Sequence, residues 1–255
     1  MMKRSKVLER RIDKAIEEKS NLLNNVDRAD SLKIIPLKKK KNPLVLAERL
    51  QIKYDSNAIF NPVSFEVNNG DRVALVGKNG AGKSSILKLI LEKSSTGNEN
   101  ILQPTGNTNN LALVEKAEYT GTLKVANDLK ISYISQSTEY LKGNLKEFAK
   151  KYEVEESIFK AMLVKMGFSN SEFDKDINQM SEGQKKKILI AKSISEQANF
   201  YIWDEPLNYI DILTRIQIEE AILKYKPTLI FVEHDETFIK KISTKVIELK
   251  KNIDI

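Results

Sequence analysis

Gly77-Lys78-Asn79-Gly80-Ala81-Gly82-Lys83-Ser84 follows the apolar run Val73-Ala74-Leu75-Val76 and opens an apolar-periodic segment that continues to about Lys93. Strand, glycine loop, helix is the order in which a G-x-x-x-x-G-K-S stretch binds phosphate. Successive backbone N–H groups curl around the anion, Lys83 adds a charge at the outer phosphates, and the Ser84 hydroxyl is placed to ligate Mg²⁺. Gly77, Gly80 and Gly82 supply the dihedrals such a loop needs. The expected nucleotide-contacting stretch is Gly77 to Ser85, with Lys78, Asn79, Ala81 and Ser85 between and after these residues.

About a hundred residues downstream, Ser181-Glu182-Gly183-Gln184 stands just before Ile188-Leu189-Ile190-Ala191. Ser181 with Gln184 three positions later satisfies a helix capping box, which is a complete structural explanation. A functional reading adds to it. A helix N-terminus offers unpaired N–H donors and a positive dipole end, and Gly183 lets the backbone come close to an anion. Since the glycine loop already takes the chain's own phosphates, this second anion site requires another nucleotide. The chain then carries two half-sites that only a partner completes.

Phe200-Tyr201-Ile202-Trp203-Asp204-Glu205-Pro206 reads as a buried strand with two carboxylates at its C-terminal end, where open α/β sheets bind ligands. Asp204 is expected to hold Mg²⁺ through water, and Glu205 to orient and deprotonate the attacking water. The alternative is a solvated Asp-Glu turn. Glu233-His234-Asp235 closes the next buried strand, and His234 is the only histidine in the chain. A lone histidine is commonly structural, but at the carboxyl end of a neighbouring strand it is placed to contact a γ-phosphate.

The chain has 255 residues, 41% apolar, with no cysteine, which excludes a disulfide framework, a thiolate nucleophile and a cysteine metal site. No apolar run reaches the 18 or so residues of a membrane span, and Met1-Met2-Lys3-Arg4 leads into charged residues rather than a signal sequence. A cytoplasmic location with no membrane insertion is the expectation. Net charge is +7, and residues 1–41 hold thirteen Lys/Arg against six Asp/Glu, so the remainder is neutral with 29 of each. Leu8, Ile12, Ala15, Leu22 and Val26 follow three- and four-residue steps, which predicts an amphipathic basic helix whose mate lies elsewhere. A solvated charged helix with a tail is the other reading. Ile34-Ile35-Pro36-Leu37 ends that helix, and Lys38 to Lys41 before Asn42-Pro43 reads as a linker, dividing the chain into 1–41 and 42–255.

The body begins with β signals at Leu44 to Tyr54, Val63 to Val67 and, after an Asn-Asn-Gly-Asp turn, Arg72 to Val76. Ser94 to Asn110 reads as an exposed loop, Ile131 to Ser135 as a strand ending at Gln136, and Leu145 to Met166 as a small helical subdomain. Then come a helix at Lys185 to Glu196, a strand at Asn199 to Trp203, a helix at Ile212 to Lys224, and strands at Thr228 to Val232 and Lys245 to Leu249. Strands alternating with helices predict an α/β fold with a parallel sheet covered on both faces.

These motifs, in this order over roughly Leu44 to Ile255, resemble the nucleotide-binding domain of ATP-binding cassette proteins. The resemblance implies a P-loop ATPase with a β-subdomain and a helical subdomain, ATP and Mg²⁺ as ligands, and hydrolysis at an interface with a second cassette. It implies that Tyr54 stacks on adenine, that Gln136 reaches metal and water, that Ser181 to Gln184 is the family signature, and that Asn208-Tyr209-Ile210-Asp211 communicates across the dimer. Asn208, Phe238 four residues after His234, and Lys185-Lys186-Lys187 resemble the ABC-F translation factors, and the basic N-terminal helix resembles the second helix of their interdomain linker. That branch implies ribosome or rRNA contact through the helix and protection from antibiotics at the peptidyl-transferase centre. The match is to the C-terminal half of such a protein, with the first cassette missing or on another chain. The ATPase subunit of an importer, or a truncated ATP-binding fragment without turnover, are the other readings. Glu182 departs from the glycine usual in the signature and places a negative side chain near a γ-phosphate.

Overall fold

The computed structural model describes residues 31–40, 42–54, 57–95 and 117–251. The amphipathic segment from Leu8 to Val26 and most of the polar stretch from Ser94 to Asn110 lie outside the described residues. In chain order the first elements are β1 (Ile35–Pro36), β2 (Val45–Tyr54), β3 (Asn57–Ala58), β4 (Val63–Val67), β5 (Arg72–Gly77) and α1 (Lys83–Ser95). They are followed by β6 (Ala117–Val125), β7 (Ile131–Ile134), α2 (Leu145–Lys151), α3 (Glu156–Lys165) and α4 (Glu182–Ser195). The chain continues through β8 (Gln197–Ala198), β9 (Phe200–Asp204), α5 (Ile212–Tyr225), β10 (Leu229–Val232), α6 (Glu236–Ile242) and β11 (Lys245–Leu249).

Five parallel strands in the order β11-β5-β10-β9-β7 form the central sheet. Its central strands β9 and β10 are buried on both faces, and the two-residue period sorts their side chains between two cores. Tyr201, Trp203, Leu229 and Phe231 join one core, which also takes the inner faces of α2, α3 and α4. Phe200, Ile202, Ile230 and Val232 join the other, against α1 and the antiparallel sheet. The sheet is therefore covered on both sides, as parallel sheets are.

The antiparallel sheet pairs β2 with β3, β4 and β6. Strand β6 has no counterpart in the sequence reading, because Glu118, Tyr119 and Thr120 are exposed and Gly121 interrupts the alternation. Gly121 has φ +85°, and a Cβ there would sit 2.2 Å from the Arg49 carbonyl oxygen. That glycine allows β6 to pass the bulge in β2, where the register shifts between Glu48 and Gln51. The helical stretch from Leu145 to Met166 holds two helices, α2 and α3, separated near Glu153 at φ +52°.

Residues 32–40 are not the end of a helix and a linker. Leu32 and Ile34 are fully buried in the core that holds α4. Ile35 and Pro36 pair in parallel with β8, and the Leu37 N–H donates to the Ala198 carbonyl at 2.8 Å. Lys39 exchanges backbone bonds with the Asn69 side chain (3.1 and 2.8 Å) and donates through Nζ to the Asp128 carbonyl. Two apolar side chains beside the charge run outweigh its polarity, and the compact body begins at Leu32 rather than Asn42.

Candidate functional site

The glycine loop leaves β5 and enters α1, as the order of its residues dictates. Gly77, Gly80 and Gly82 have φ of +151°, +74° and +86°. The loop folds back on its own lysine: Lys83 is 7% exposed, and its ammonium donates to the carbonyls of Gly77 (2.8 Å) and Lys78 (3.2 Å). Next to it the Ser84 hydroxyl donates to Asp204 Oδ1 at 3.1 Å. Asp204 ends β9 and is buried, and burial holds its carboxyl above the usual carboxylate range, against the bond from Ser84.

An open cleft of about 620 Å³ is lined by Tyr54, Asn79 to Ser85, Gln136, Glu205 and His234. Tyr54 sits at its edge with its hydroxyl 3.1 Å from Ser85 Oγ. Glu205 stands in the left-handed region, φ +49°, which turns its side chain out of the strand direction. Three side chains converge on its carboxylate. Gln136 Nε2 and Asn208 Nδ2 donate to Oε2 at 3.0 and 2.8 Å, and His234 Nε2 lies 3.2 Å from Oε1. Tyr54, the glycine loop, Gln136, Glu205 and His234, expected from five separate stretches of sequence, thus share one cleft.

Ser181, Gly183 and Gln184 do not line it. Ser181 caps α4, accepting from the Gln184 N–H at 3.3 Å while Gln184 Oε1 accepts from the Ser181 N–H at 2.9 Å. Gly183 is needed for a reason the sequence does not show. A Cβ there would lie 2.6 Å from the Tyr209 carbonyl oxygen, so α4 and the loop after β9 meet backbone to backbone. Glu182 is held by the Thr138 hydroxyl and by Lys185 at 3.0 Å, and those bonds lower its pKa.

Two supports have no counterpart in the sequence reading. Glu233, 6% exposed, accepts from the Leu207 N–H at 2.8 Å and so anchors the loop after β9 to the end of β10. Burial pushes its pKa up, opposed by the bonds from Leu207 and His234. Lys187 on α4 pairs with Asp211 at 2.7 Å, and Asp211 caps α5 by accepting from the Thr214 N–H at 2.9 Å.

Partial burial acts against the Asp211 carboxylate, but Lys187 and Thr214 prevail and hold its pKa at about 2. A carboxyl depressed in the folded state stabilises above its unfolded value near 3.9, and that stability is lost as pH falls from about 4 toward 2. Asp211→Asn keeps the cap but removes the charge. The half-exposed pair is screened, so a loss of about 1 kcal/mol or less at pH 7 is expected. Urea midpoints measured from pH 7 to pH 2 would show the difference from wild type vanish at the acid end.

The donor set fits the ligands its residues suggest. A buried carboxylate and a serine hydroxyl are hard oxygen donors suited to Mg²⁺, which commonly keeps waters and takes phosphate oxygens for the rest of its shell. Among the described residues there is no group of three or more His, Cys, Asp or Glu that could hold a metal ion. The lysine ammonium enclosed by the loop fits the charge of that phosphate.

A family model described as ABC transporter matches residues 60–208, from the antiparallel sheet through the loop after Glu205. The chain belongs to the ABC transporter family. Members of this family are ATPases, and their cassettes dimerise. Among relatives of this cassette, ABC transporter F family member 2 of Arabidopsis thaliana is 32% identical over 81% of this chain and 28% of its own length. Ribosome protection protein VmlR of Bacillus subtilis is 27% identical over 78% of this chain and 33% of its own length. The chain thus spans about a third of those curated relatives. Ergothioneine transport ATP-binding protein EgtV of Helicobacter pylori is 30% identical over 81% of this cassette and 97% of its own length. A solved archaeal ribosome recycling factor, aABCE1, superposes with a TM-score of 0.60 at 25% identity, over 83% of this chain and 38% of that one. Among the described residues, no helix is long and apolar enough to cross a membrane.

Proposed function

We propose that this chain binds MgATP with Tyr54, Gly77 to Ser85 and Asp204, and hydrolyses it with Glu205 as base at an interface with a second cassette. The observation that carries this reading is the convergence of Gln136, Asn208 and His234 on the Glu205 carboxylate in the cleft that holds Lys83 and Ser84. A base must be oriented before its pKa matters, and three polar neighbours orient this one. Bound Mg²⁺, held by Ser84 and Asp204 with Gln136 nearby, would supply charge neutralisation between the outer phosphates. The protein's own work is positioning. Lys83 meets the phosphate charge, Gln136 and Asn208 fix one carboxylate oxygen, and His234 stands beside the other, on the side assigned to the γ-phosphate. Ser181, Gly183 and Gln184 lie outside that lining and would serve the partner's nucleotide.

Within the family we place the chain with the ABC-F proteins, as a cytoplasmic factor that meets the ribosome through its basic N-terminal residues and protects it from antibiotics at the peptidyl-transferase centre. The F-family and ribosome-protection relatives support this, as do Asn208 and the concentration of the net charge in residues 1–41. The transport ATP-binding relative supports a second reading, the ATPase subunit of a transporter.

Sedimentation with ribosomes in the presence of ATP separates the two. The full chain is expected to co-sediment, and a chain starting at Leu32, where the compact body begins, is expected to lose most of that association. A full chain that stays in the supernatant while associating with a membrane permease would overturn the ribosomal assignment in favour of transport.

A further inference from the structure

Lys186 lies in a run of three lysines, yet it is 2% exposed. From the second turn of α4 its ammonium donates to the carbonyls of Ser135 (3.1 Å), Gln136 (2.9 Å) and Glu205 (3.1 Å). Three donors meet three acceptors, so the ammonium is saturated by backbone alone. Among the described residues no carboxylate is within ion-pair distance of it. Asp204, Glu205, Glu233 and Glu182 are near enough to favour the charge, while burial opposes it and lowers the lysine pKa.

Burying an ammonium costs several kcal/mol even after relaxation, and an apolar residue of similar length would avoid that cost. What the charge achieves here is geometric. Two of its three acceptors belong to Gln136 and Glu205, whose side chains are bonded to each other at 3.0 Å. Glu205 is held on its other flank too, its N–H donating to the Val232 carbonyl at 3.0 Å, which fixes a residue in left-handed backbone. The lysine therefore ties the backbones of both cleft residues to the helix that begins at Ser181.

We propose that Lys186 is a positioning residue for hydrolysis: it holds the backbones of Gln136 and Glu205 in register and couples them to the helix carrying the second half-site. The proposal rests on the ATPase reading above. Lys186→Met keeps the length of the side chain and removes the three donors. A misplacement on the order of 1 Å at a catalytic group is enough to cost 10- to 100-fold, so kcat is expected to fall by about that factor. MgATP affinity, which depends on the glycine loop, should stay within about threefold of wild type.

Amide hydrogen exchange gives a readout independent of turnover. Faster exchange in Lys186→Met is expected in peptides covering 135–140 and 205–209, with 77–90 unchanged. Because the chain has no cysteine, Lys186→Cys can be alkylated with bromoethylamine in denaturant and refolded beside a wild-type control, restoring an ammonium at that position. Recovery of most of the lost kcat is the expected result. Unchanged exchange at 135–140 and 205–209 overturns the proposal, and so does wild-type kcat in Lys186→Met. A parallel loss of kcat, affinity and thermal stability that alkylation does not reverse would reduce Lys186 to a packing residue and overturn it as well. If the wild-type chain, paired with a second cassette, does not hydrolyse ATP, the ATPase reading fails on its own, and the exchange data still decide whether Lys186 holds the two loops.

Discussion

Glu205→Gln is expected to bind MgATP as tightly as wild type and to hydrolyse it about 10²- to 10⁴-fold more slowly, the range lost when a positioned general base is removed. The structure shows why binding survives. Glu205 Oε2 accepts from both Gln136 and Asn208, and the oxygen of a glutamine can take that place. Its amide nitrogen then faces His234 Nε2, 3.2 Å from the present Oε1, which accepts a hydrogen bond in the neutral tautomer protonated at Nδ1. The local network is conserved in shape while the proton acceptor is gone. Steady-state turnover beside equilibrium binding of a fluorescent ATP analogue measures both halves of the prediction. Turnover at the wild-type rate would remove Glu205 from the base role and leave Asp204 or bulk water to be considered. An accumulating closed pair of cassettes, seen by size-exclusion chromatography in ATP, is the accompanying result.

Gly183→Ala is expected to have a comparably large effect from outside the cleft. Its new Cβ would lie 2.6 Å from the Tyr209 carbonyl oxygen, well inside contact distance, and neither side of that contact is a flexible side-chain end. The Tyr209 loop has little room to retreat: the Leu207 N–H is bonded to buried Glu233, and Asp211 is paired with Lys187. Overpacking of this kind costs about 1–3 kcal/mol, so a fall of several degrees in the melting temperature is expected. Asn208 lies within the displaced segment and bonds Glu205, so turnover should fall further than stability explains, with MgATP binding by the glycine loop unchanged. A variant with wild-type melting and turnover would mean that α4 can shift freely against the loop. That would also weaken the coupling assigned to Lys186.

Much of the fold and the cleft is legible in the sequence because each part is stated locally. Val73 to Ser84 specifies strand, loop and helix without help from the rest of the chain. The alternating cores of β9 and β10 are visible as uninterrupted apolar runs. The α/β class with a parallel sheet follows, and the family match over residues 60–208 agrees with it. Other parts depend on what lies across the fold. Lys186 looks like one of three solvated lysines, and its burial is visible only once Gln136 and Glu205 are brought beneath α4. A helical stripe through Lys186, Ile190 and Ser193, all buried, was the available signal. Glu233 likewise reads as a strand-end carboxylate until Leu207 reaches it. Strand β6 is hidden because only Leu123 of its seven residues from Glu118 to Lys124 is buried. Helix α6 is short, but Asp235 accepting from the Phe238 N–H, with Phe238 and Ile242 buried, carries an N-cap signal of the ordinary kind.

The two-residue pairing of β1 with β8 bears on how force would travel through the molecule. Strand β8 occupies the short step between the last turn of α4 and the start of β9. A displacement of Ile35 and Pro36 therefore acts at the joint from which one arm runs back to Ser181 and the other forward to Asp204 and Glu205. Strand β1 is thus a splint across that joint, bracing the helix that begins at Ser181 and the strand that ends at Asp204 against one another.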